Sequence, residues 1–391
     1  MSAEEHEPQS EIDITASNIL PLPGTEDAAV KVGLSEIEAA TVDVTEWLSD
    51  HNVVLLGFTA QRNPVFMNST TGVITERDLL SGTSVVLNTL TSQGQTLQCE
   101  ACDGEWIAWV EAEDKFIDGD SGTGKDWVLW SENLATGEIR MLDQETDYFP
   151  KTRGFYAAPD LLEIRGAKLA AHGMDADETG VYRSIILYDL NTGERTVLAR
   201  EPINNGRLYS GTAFTTGFLY FGCSYFDPVD YALKSNVIFQ YDLRSKELKT
   251  LDNPYDCAFS DASDRFLVAE IPWRTDKQTT EIAVFDFQTG SWIRTLDQTA
   301  SFLTSVSVPT EDIWLSAPMI SDSLVVFYCP IFTQHSLLYD INQNAYYLLT
   351  DPSTKRRNER AYFHRNVLMW TEITCDGDRD IESVRLTIFK R

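Results

Sequence analysis

The sequence predicts an all-β fold, a β-propeller built from four-stranded blades. The first observation is a repeated phrase, in which an apolar strand ends in Asp or Asn and a polar turn follows; its clearest copy runs over residues 187–193. The second is the spacing of that Asp or Asn, which is 55, 56, 53, 44 and 54 residues in successive copies. The third is that almost no stretch has the 3.6-residue apolar period of a long helix. Since a lone four-stranded sheet cannot bury both faces, repeats of this length are expected to pack around an axis.

The repeated acidic or amide residue is predicted to shape the turn between the third and fourth strands of each blade. A short Asp or Asn side chain can accept hydrogen bonds from backbone N–H groups of the turn that follows. A Gly that often follows supplies a positive φ angle. The positions are Asp78, Asn133, Asp189, Asp242, Asp286 and Asp340.

Six complete repeats and one incomplete repeat follow the first fifty residues. The complete ones span about 53–90, 96–142, 160–199, 206–251, 255–296 and 312–350. The remainder, 360–391, supplies three strands, and the alternating segment 40–48 is predicted to add the fourth and so close the ring. Seven blades are favoured; six is the alternative if 53–90 is an irregular capping segment. Residues 28–391 are therefore expected to form a single propeller domain.

Residues 1–27 are predicted to be an acidic, disordered arm. The first fifty residues carry twelve acidic side chains and one basic one, Lys31. Such a composition lacks the apolar surface that a packed core requires. The arm is interpreted as a solvated tail, with a partner-binding arm as the alternative.

The charge of the chain restricts its partners. The 391 residues include 31 Lys and Arg against 60 Asp and Glu, which gives a formal net charge of −29. Electrostatic nucleic-acid binding is excluded, because affinity for phosphates requires clustered cations. A protein or peptide partner is expected, with basic partners favoured. The chain itself is predicted to be a monomer.

No segment has the features of a membrane span or a signal peptide. The longest apolar runs have the length of strands, far short of the roughly 20 residues that cross a bilayer. The N-terminus is acidic, whereas a signal peptide begins with basic residues. The compartment stays open: a complete chain would be cytoplasmic, and an exported protein would have lost its export segment.

The repeated phrase, seen in Tyr188-Asp189-Leu190-Asn191-Thr192-Gly193-Glu194, resembles the blade phrase of TolB-like propellers and of the propeller domains of prolyl oligopeptidase-type enzymes. The resemblance covers about 53–391. The family's Ser-Pro-Asp-Gly turn is reduced here to Cys102-Asp103-Gly104 in one blade. The resemblance implies a periplasmic or surface-exposed scaffold that binds protein or peptide, and cell-envelope localisation is favoured on that ground alone.

Motifs for most catalytic chemistry are missing from the sequence. There is no Gly-x-Ser-x-Gly nucleophile elbow, Walker loop or dinucleotide fingerprint. Cys99 and Cys102 have redox or metal spacing, but a lone pair is half of a zinc site, so two small residues on a strand are expected. An enzyme is accordingly the less favoured expectation.

Two acidic loops are candidates for Ca²⁺, since alternate carboxylates near Gly offer the oxygen ligands that this ion requires. Neither loop matches the EF-hand pattern, and solvated hairpin loops are the alternative. The metal candidates are Asp118, Asp120, Asp376, Asp378 and Asp380.

Binding residues are expected where long loops join the second and third strands of the blades. Such loops emerge on one face of a propeller, which we call the long-loop face. Aromatic side chains among charges suit recognition there. His364 lies on the predicted innermost strand of the last blade and is placed to face the channel. The binding candidates are Tyr225, Phe226, Tyr231, Trp273 and His364.

Three functions remain open. The favoured one is a non-enzymatic scaffold that binds a protein or peptide through the long-loop face and the channel mouth. The first alternative is a hydrolase or lyase acting on sugar or peptide at the channel mouth, with Ca²⁺ as a possible aid and Asp118, Asp120, Asp376 and Asp378 as its carboxylates. The second alternative is a structural module of a cell-envelope assembly.

Overall fold

A computed structural model of the chain describes most of the residues after position 28. The described residues are 29–32, 34, 37, 39–48, 53–59, 61–68, 70–79, 81–89, 96–113, 125–145, 158–229, 233–271, 281–296, 316–328, 337–349, 356–364, 367–376 and 379–389. The predicted acidic arm, 1–27, lies outside them.

The described residues form 29 β-strands and one short 3-10 helix, Thr45–Trp47. The strands are β1 Ala29–Val32, β2 Ala39–Asp43, β3 Val53–Phe58, β4 Pro64–Asn68, β5 Val73–Arg77, β6 Ser84–Thr89, β7 Thr96–Cys102, β8 Trp106–Glu113, β9 Lys125–Asn133, β10 Glu138–Gln144, β11 Asp160–Arg165, β12 Lys168–Ala176, β13 Val181–Asp189, β14 Arg195–Pro202, β15 Arg207–Phe214, β16 Phe218–Phe226, β17 Leu233–Asp242, β18 Leu248–Thr250, β19 Ala258–Ala262, β20 Phe266–Ile271, β21 Glu281–Asp286, β22 Ser291–Leu296, β23 Ser316–Ser321, β24 Leu324–Tyr328, β25 Leu337–Asp340, β26 Ala345–Leu348, β27 Arg356–His364, β28 Val367–Asp376 and β29 Arg379–Phe389.

The strands assemble into sheets of consecutive antiparallel neighbours. Three sheets are four-stranded meanders, β11–β14, β15–β18 and β19–β22. Two further meanders, β3–β6 and β7–β10, form one eight-stranded sheet. A single parallel bridge between Gly57 and Cys102 joins them. The meander β23–β26 carries β1 as a fifth strand, and β27–β29 carries β2 as its fourth. This all-β architecture of four-stranded sheets confirms the predicted fold class. The count of seven blades stays a prediction.

The first strand of each meander is the innermost. Successive innermost strands contact one another in the order β3, β7, β11, β15, β19, β23 and β27. Between neighbouring sheets lie apolar clusters, such as the one that combines Ala108 and Leu129 of one sheet with Ile186 and Tyr188 of the next. Each sheet therefore buries both faces against its neighbours, which is the face-to-face packing expected for four-stranded repeats.

The N-terminal segment covers the outer edges of the last two sheets. The strand β2 pairs antiparallel with β29, from Ala39 opposite Phe389 to Asp43 opposite Arg385. The predicted closing strand at 40–48 is thus found at its first half, and the rest of it forms the 3-10 helix. The strand β1 pairs in parallel with β26, a contact that the sequence did not predict.

The repeated Asp or Asn has the predicted role in the turns. The carboxylate of Asp189 accepts hydrogen bonds from the N–H groups of Asn191 and Thr192 at 3.0 and 3.1 Å. Asp242 accepts from the two equivalent N–H groups, both at 2.8 Å. Asn133 forms the same pair through its amide oxygen. The prediction from turn chemistry is therefore confirmed.

Asp103, in the turn between the first two strands of its blade, joins two blades. One carboxylate oxygen accepts hydrogen bonds from the N–H groups of Glu105 and Trp106 at 3.0 and 2.9 Å. The other accepts from the N–H of Gly166, in the corresponding turn of the next blade, at 2.7 Å. The side chain is buried, with 5% of Asp103 exposed.

Replacing Asp103 with Ala is expected to lower the free energy of unfolding by about 2–4 kcal/mol, because several buried N–H groups lose an acceptor. Urea denaturation measures the loss. The matched control is Asp242→Ala, which removes the acceptor of two N–H groups within a turn of a single blade. A loss no larger in Asp103→Ala than in the control would contradict the joining role.

Candidate functional site

Two acidic side chains lie on innermost strands inside the ring. Glu163 is on β11 and Asp261 is on β19, each two residues before the turn to the second strand of its blade. Irregular pairing precedes both residues, between Asp160 and Glu163 and between Phe259 and Asp261. Such a bulge changes the direction of the side chains that follow it. The two strands are separated by β15 alone, and the charge of Asp261 acts on Glu163, so the two carboxyl groups lie near each other inside the ring.

Each carboxyl group accepts a hydrogen bond from the next innermost strand. Glu163 Oε1 accepts from the N–H of Phe214 on β15 at 3.0 Å. Asp261 Oδ2 accepts from the N–H of Ile320 on β23 at 2.8 Å, and Oδ1 accepts from the N–H of Ala262 at 2.7 Å. Phe214 and Ile320 occupy equivalent positions in their blades, because one residue separates each of them from the turn to the second strand. These bonds hold both carboxyl groups in place.

Burial raises the pKa of Glu163 to about 8 and the pKa of Asp261 to about 7. The negative charge of Asp261 raises the pKa of Glu163 further, whereas the hydrogen bond from Phe214 and the cation of Arg165 lower it. Both residues are half-buried, so part of their surface remains open to solvent. Near neutral pH this pair can hold a proton and release it.

Arg165 ties this region to the neighbouring blade. Its guanidinium donates to the carbonyl oxygen of Phe214 at 2.7 Å and lies 3.5 Å from the carboxylate of Asp264. Asp264 in turn accepts from the N–H of Thr216 at 2.6 Å. The guanidinium of Arg165 is partly exposed, so it stabilises the ionised forms of Glu163 and Asp264 only moderately.

The structure resembles propeller domains that belong to peptidases. The propeller domain of the Trilobed protease from Pyrococcus furiosus aligns with a TM-score of 0.52 at 11% identity, over 92% of this chain and 92% of that one. The fold is a β-propeller. A prolyl endopeptidase aligns with a TM-score of 0.51 at 12% identity, over 80% of this chain and 43% of that one. An acylaminoacyl peptidase from Pyrococcus horikoshii aligns with a TM-score of 0.50 at 12% identity, over 86% and 49%.

These similarities confirm the predicted resemblance to prolyl oligopeptidase-type propellers at the level of fold. The propeller spans about half the length of each of the two full peptidases. No protein-family model and no curated protein matches the chain.

Two of the predicted binding residues lie together at the end of β16. Tyr225 is opposite Arg207 and Lys234 in the sheet and has 36% of its surface exposed. The N–H of Phe226 donates to the carbonyl oxygen of Gly206 at 2.9 Å, and the ring of Tyr225 also packs beside that glycine. The strand β16 ends here at its loop to the third strand, as predicted for the long-loop face.

His364 lies at the other end of the strands. It is the last residue of β27, the innermost strand of its sheet, and faces Val367 across the turn to β28. The innermost position agrees with the prediction, but the turn places His364 on the face opposite to the long loops. Trp273 and Tyr231 lie outside the described residues, so their role stays a prediction.

The predicted Ca²⁺ ligands are only partly described. Asp376 ends β28 opposite Arg379, and Asp380 pairs with Cys375 across the same hairpin. Asp118, Asp120 and Asp378 lie outside the described residues. Within the described part of the chain, no group of three or more His, Cys, Asp or Glu side chains could hold a metal ion. Calcium at these loops stays a prediction.

A further acidic loop, at residues 174–180, is held together by arginines. Asp175 contacts Arg195 at 3.3 Å and Arg200 at 3.6 Å, and Asp177 contacts Arg200 at 2.5 Å. Hydrogen bonds from Thr179 hold the pKa of Asp177 below its usual range. These carboxylates stabilise their own hairpin.

Three of the six cysteines have side chains that the structure describes. Cys102, Cys223 and Cys257 are buried, and none of the three forms a disulfide. Among the residues that the structure describes, none forms a helix long and apolar enough to cross a membrane.

Neither Glu163 nor Asp261 is among the residues that the sequence motifs predicted. A signal was present, since each is an acidic residue within an apolar innermost strand, as in Leu161-Leu162-Glu163-Ile164. A charge at such a position is costly unless it is partnered. The partners from the next blade, however, lie 51 residues later in the sequence for Glu163 and 59 residues later for Asp261.

Proposed function

We propose that this propeller takes part in a hydrolase or lyase reaction on a peptide or sugar, with Glu163 and Asp261 as its acid–base groups. The observation that carries the proposal is this pair of carboxyl groups on innermost strands, whose pKa values burial raises to about 8 and about 7. Catalytic acids are commonly carboxyl groups whose pKa is raised toward the working pH. The similarity to propellers of peptidases supports the same class of function.

The two groups differ in what each does best near neutral pH. Glu163, with the higher pKa, is mostly protonated and is the better proton donor to a leaving oxygen or nitrogen. Asp261 is partly ionised and is the better proton acceptor, from water in a hydrolysis or from a carbon beside a carbonyl in a lyase reaction. A serine mechanism is not proposed, because the sequence has no Gly-x-Ser-x-Gly motif.

The test is the rate of the purified protein on a panel of peptide p-nitroanilides, p-nitrophenyl glycosides and uronic-acid oligosaccharides. Glu163→Gln and Asp261→Asn are each expected to lower kcat by about 100-fold or more, the usual contribution of a general acid or base. The matched control is Glu247→Gln. It removes an exposed carboxylate in the turn between β17 and β18, the outer two strands of their blade, and is expected to keep the wild-type rate. Unchanged rates in both Glu163→Gln and Asp261→Asn, or no turnover of the panel by wild type, would contradict the proposal.

A non-enzymatic scaffold is the second candidate. It is supported by the net charge of −29, which favours cationic peptides, and by the exposed ring of Tyr225 on the long-loop face. Isothermal titration with a basic peptide library at low and high salt would measure it. If the protein is such a scaffold, Tyr225→Ala and added salt should each lower the affinity for the peptide. Glu163→Gln should bind the peptide as tightly as wild type does.

A further inference from the structure

The outer strand β6 differs from the other sheet edges of the molecule. It is the last strand of its sheet and pairs with β5 alone among the described strands. Its sequence, Ser84–Thr89, has no charged residue. Val85 and Val86 are 60% and 62% exposed. A sheet edge of this kind presents unpaired backbone N–H and C=O groups beside apolar side chains, which is the structure that another strand recognises.

Charged residues or a covering strand protect the other described outer edges. The strand β10 contains Glu138 and Arg140, β18 contains Lys249, and β2 contains Asp43. The strands β14 and β22 also contain Arg. The strand β26 has no charge, but β1 pairs along its whole length. Of the two outer strands without charge, β26 and β6, the first is therefore already paired with an additional strand, β1.

The surroundings of β6 in the sequence are also free of charge. From Leu79 to Cys99 there is no Asp, Glu, Lys or Arg, although charged residues make up 23% of the chain. The strand itself has no carboxylate with which a basic peptide could pair. A second copy of the same neutral strand, in contrast, would bring no like charges together.

We propose that β6 is the site at which two copies of this chain associate, through antiparallel pairing of β6 with β6 about a two-fold axis. A two-fold contact uses the same strand from both subunits, so the uncharged edge is complementary to itself. The pairing of β5 with β6 is irregular at Leu87, which packs inward. The contact is therefore centred on Val85 and Val86, before that irregularity. This inference is independent of the carboxyl groups of Glu163 and Asp261.

The size of the contact implies a weak dimer. A few paired residues bury much less than a stable interface does, so we expect association at about 100 μM protein rather than at nanomolar concentration. The net charge of −29 opposes association through long-range repulsion, which salt screens. The dimer fraction is therefore expected to rise with salt.

Sedimentation velocity of the full chain at about 100 μM, in about 0.15 and 0.5 M NaCl, tests the proposal. Val86→Lys is expected to weaken dimerisation at least about tenfold, because each ammonium group would be placed against the uncharged strand of the other copy, which has no carboxylate to pair with it. The matched control is Leu248→Lys, which places the same charge on the exposed outer strand β18 and is expected to dimerise as wild type does. A monomeric wild type at both salt concentrations, or equal dimerisation of wild type and Val86→Lys, would overturn the proposal.

Amide hydrogen exchange of the wild type gives a second measurement that needs no variant. Slower exchange within Ser84–Thr89 at high than at low protein concentration is the expected result. Equal exchange in this strand at both concentrations, in a sample that dimerises, would place the contact elsewhere and overturn the proposal.

Discussion

Gly104→Ala is expected to lower the free energy of unfolding by about 3–4 kcal/mol, the sum of backbone strain and a steric clash. Gly104 has a φ angle of +88°, which L side chains rarely adopt. A Cβ atom there would lie 2.5 Å from the Cα of Thr59. Because Thr59 follows the innermost strand of the preceding blade, the backbone of one blade would have to move relative to the next.

The control for this substitution is Gly82→Ala. Gly82 also lies in a turn, with a φ angle of +70°, but a Cβ atom there would meet nothing within 4 Å. It therefore isolates the backbone strain, which we expect to cost about 1 kcal/mol. Guanidinium denaturation of both variants measures the difference. Equal losses would show that the contact between the blades yields without cost.

The second large effect concerns pH. Wild-type protein is expected to lose on the order of a few kcal/mol of stability between about pH 4 and pH 8 through Glu163 and Asp261. Their pKa values are raised in the folded state, to about 8 and about 7. Below their unfolded pKa values both states are protonated, so the buried groups cost little. As pH rises, the unfolded state ionises first and is stabilised relative to the folded state, until the folded pKa values are passed.

The double variant Glu163→Gln and Asp261→Asn removes this pH dependence. Its stability relative to wild type is expected to increase from pH 5 to pH 8.5, whatever its stability at pH 5. Urea denaturation across this range measures the slope, and Glu247→Gln serves as the exposed control. Parallel profiles for the double variant and wild type would mean that these carboxyl groups ionise in the folded protein as freely as in the unfolded one.

Local signals predicted the strands and turns well. The turn chemistry of Asp189 and Asp242 depends on neighbouring residues alone, so the sequence was sufficient for it. The strand periodicity and repeat length likewise predicted four-stranded sheets. Each of these features is determined within one repeat, and repetition made the prediction stronger.

Contacts between repeats could not be predicted in this way. The bond from Gly166 to Asp103 and the bond from Phe214 to Glu163 join residues of different blades, which no local pattern relates. The pairing of β1 with β26 joins residues more than three hundred positions apart in the sequence. For the candidate site the limit was the same, since burial by neighbouring blades gives Glu163 and Asp261 their raised pKa values.

The pairing of the N-terminal strands with the last two sheets has a consequence for biosynthesis. The ribosome releases β1 and β2 more than three hundred residues before their partners β26 and β29. Until then, two edge-forming segments have no native partner within the nascent chain. Pairing across almost the whole sequence also slows folding, because the loop must close before the contact forms. The two pairings should therefore form only after β26 and β29 have been synthesised, and chaperones that shield exposed strands would act on β1 and β2 before that step.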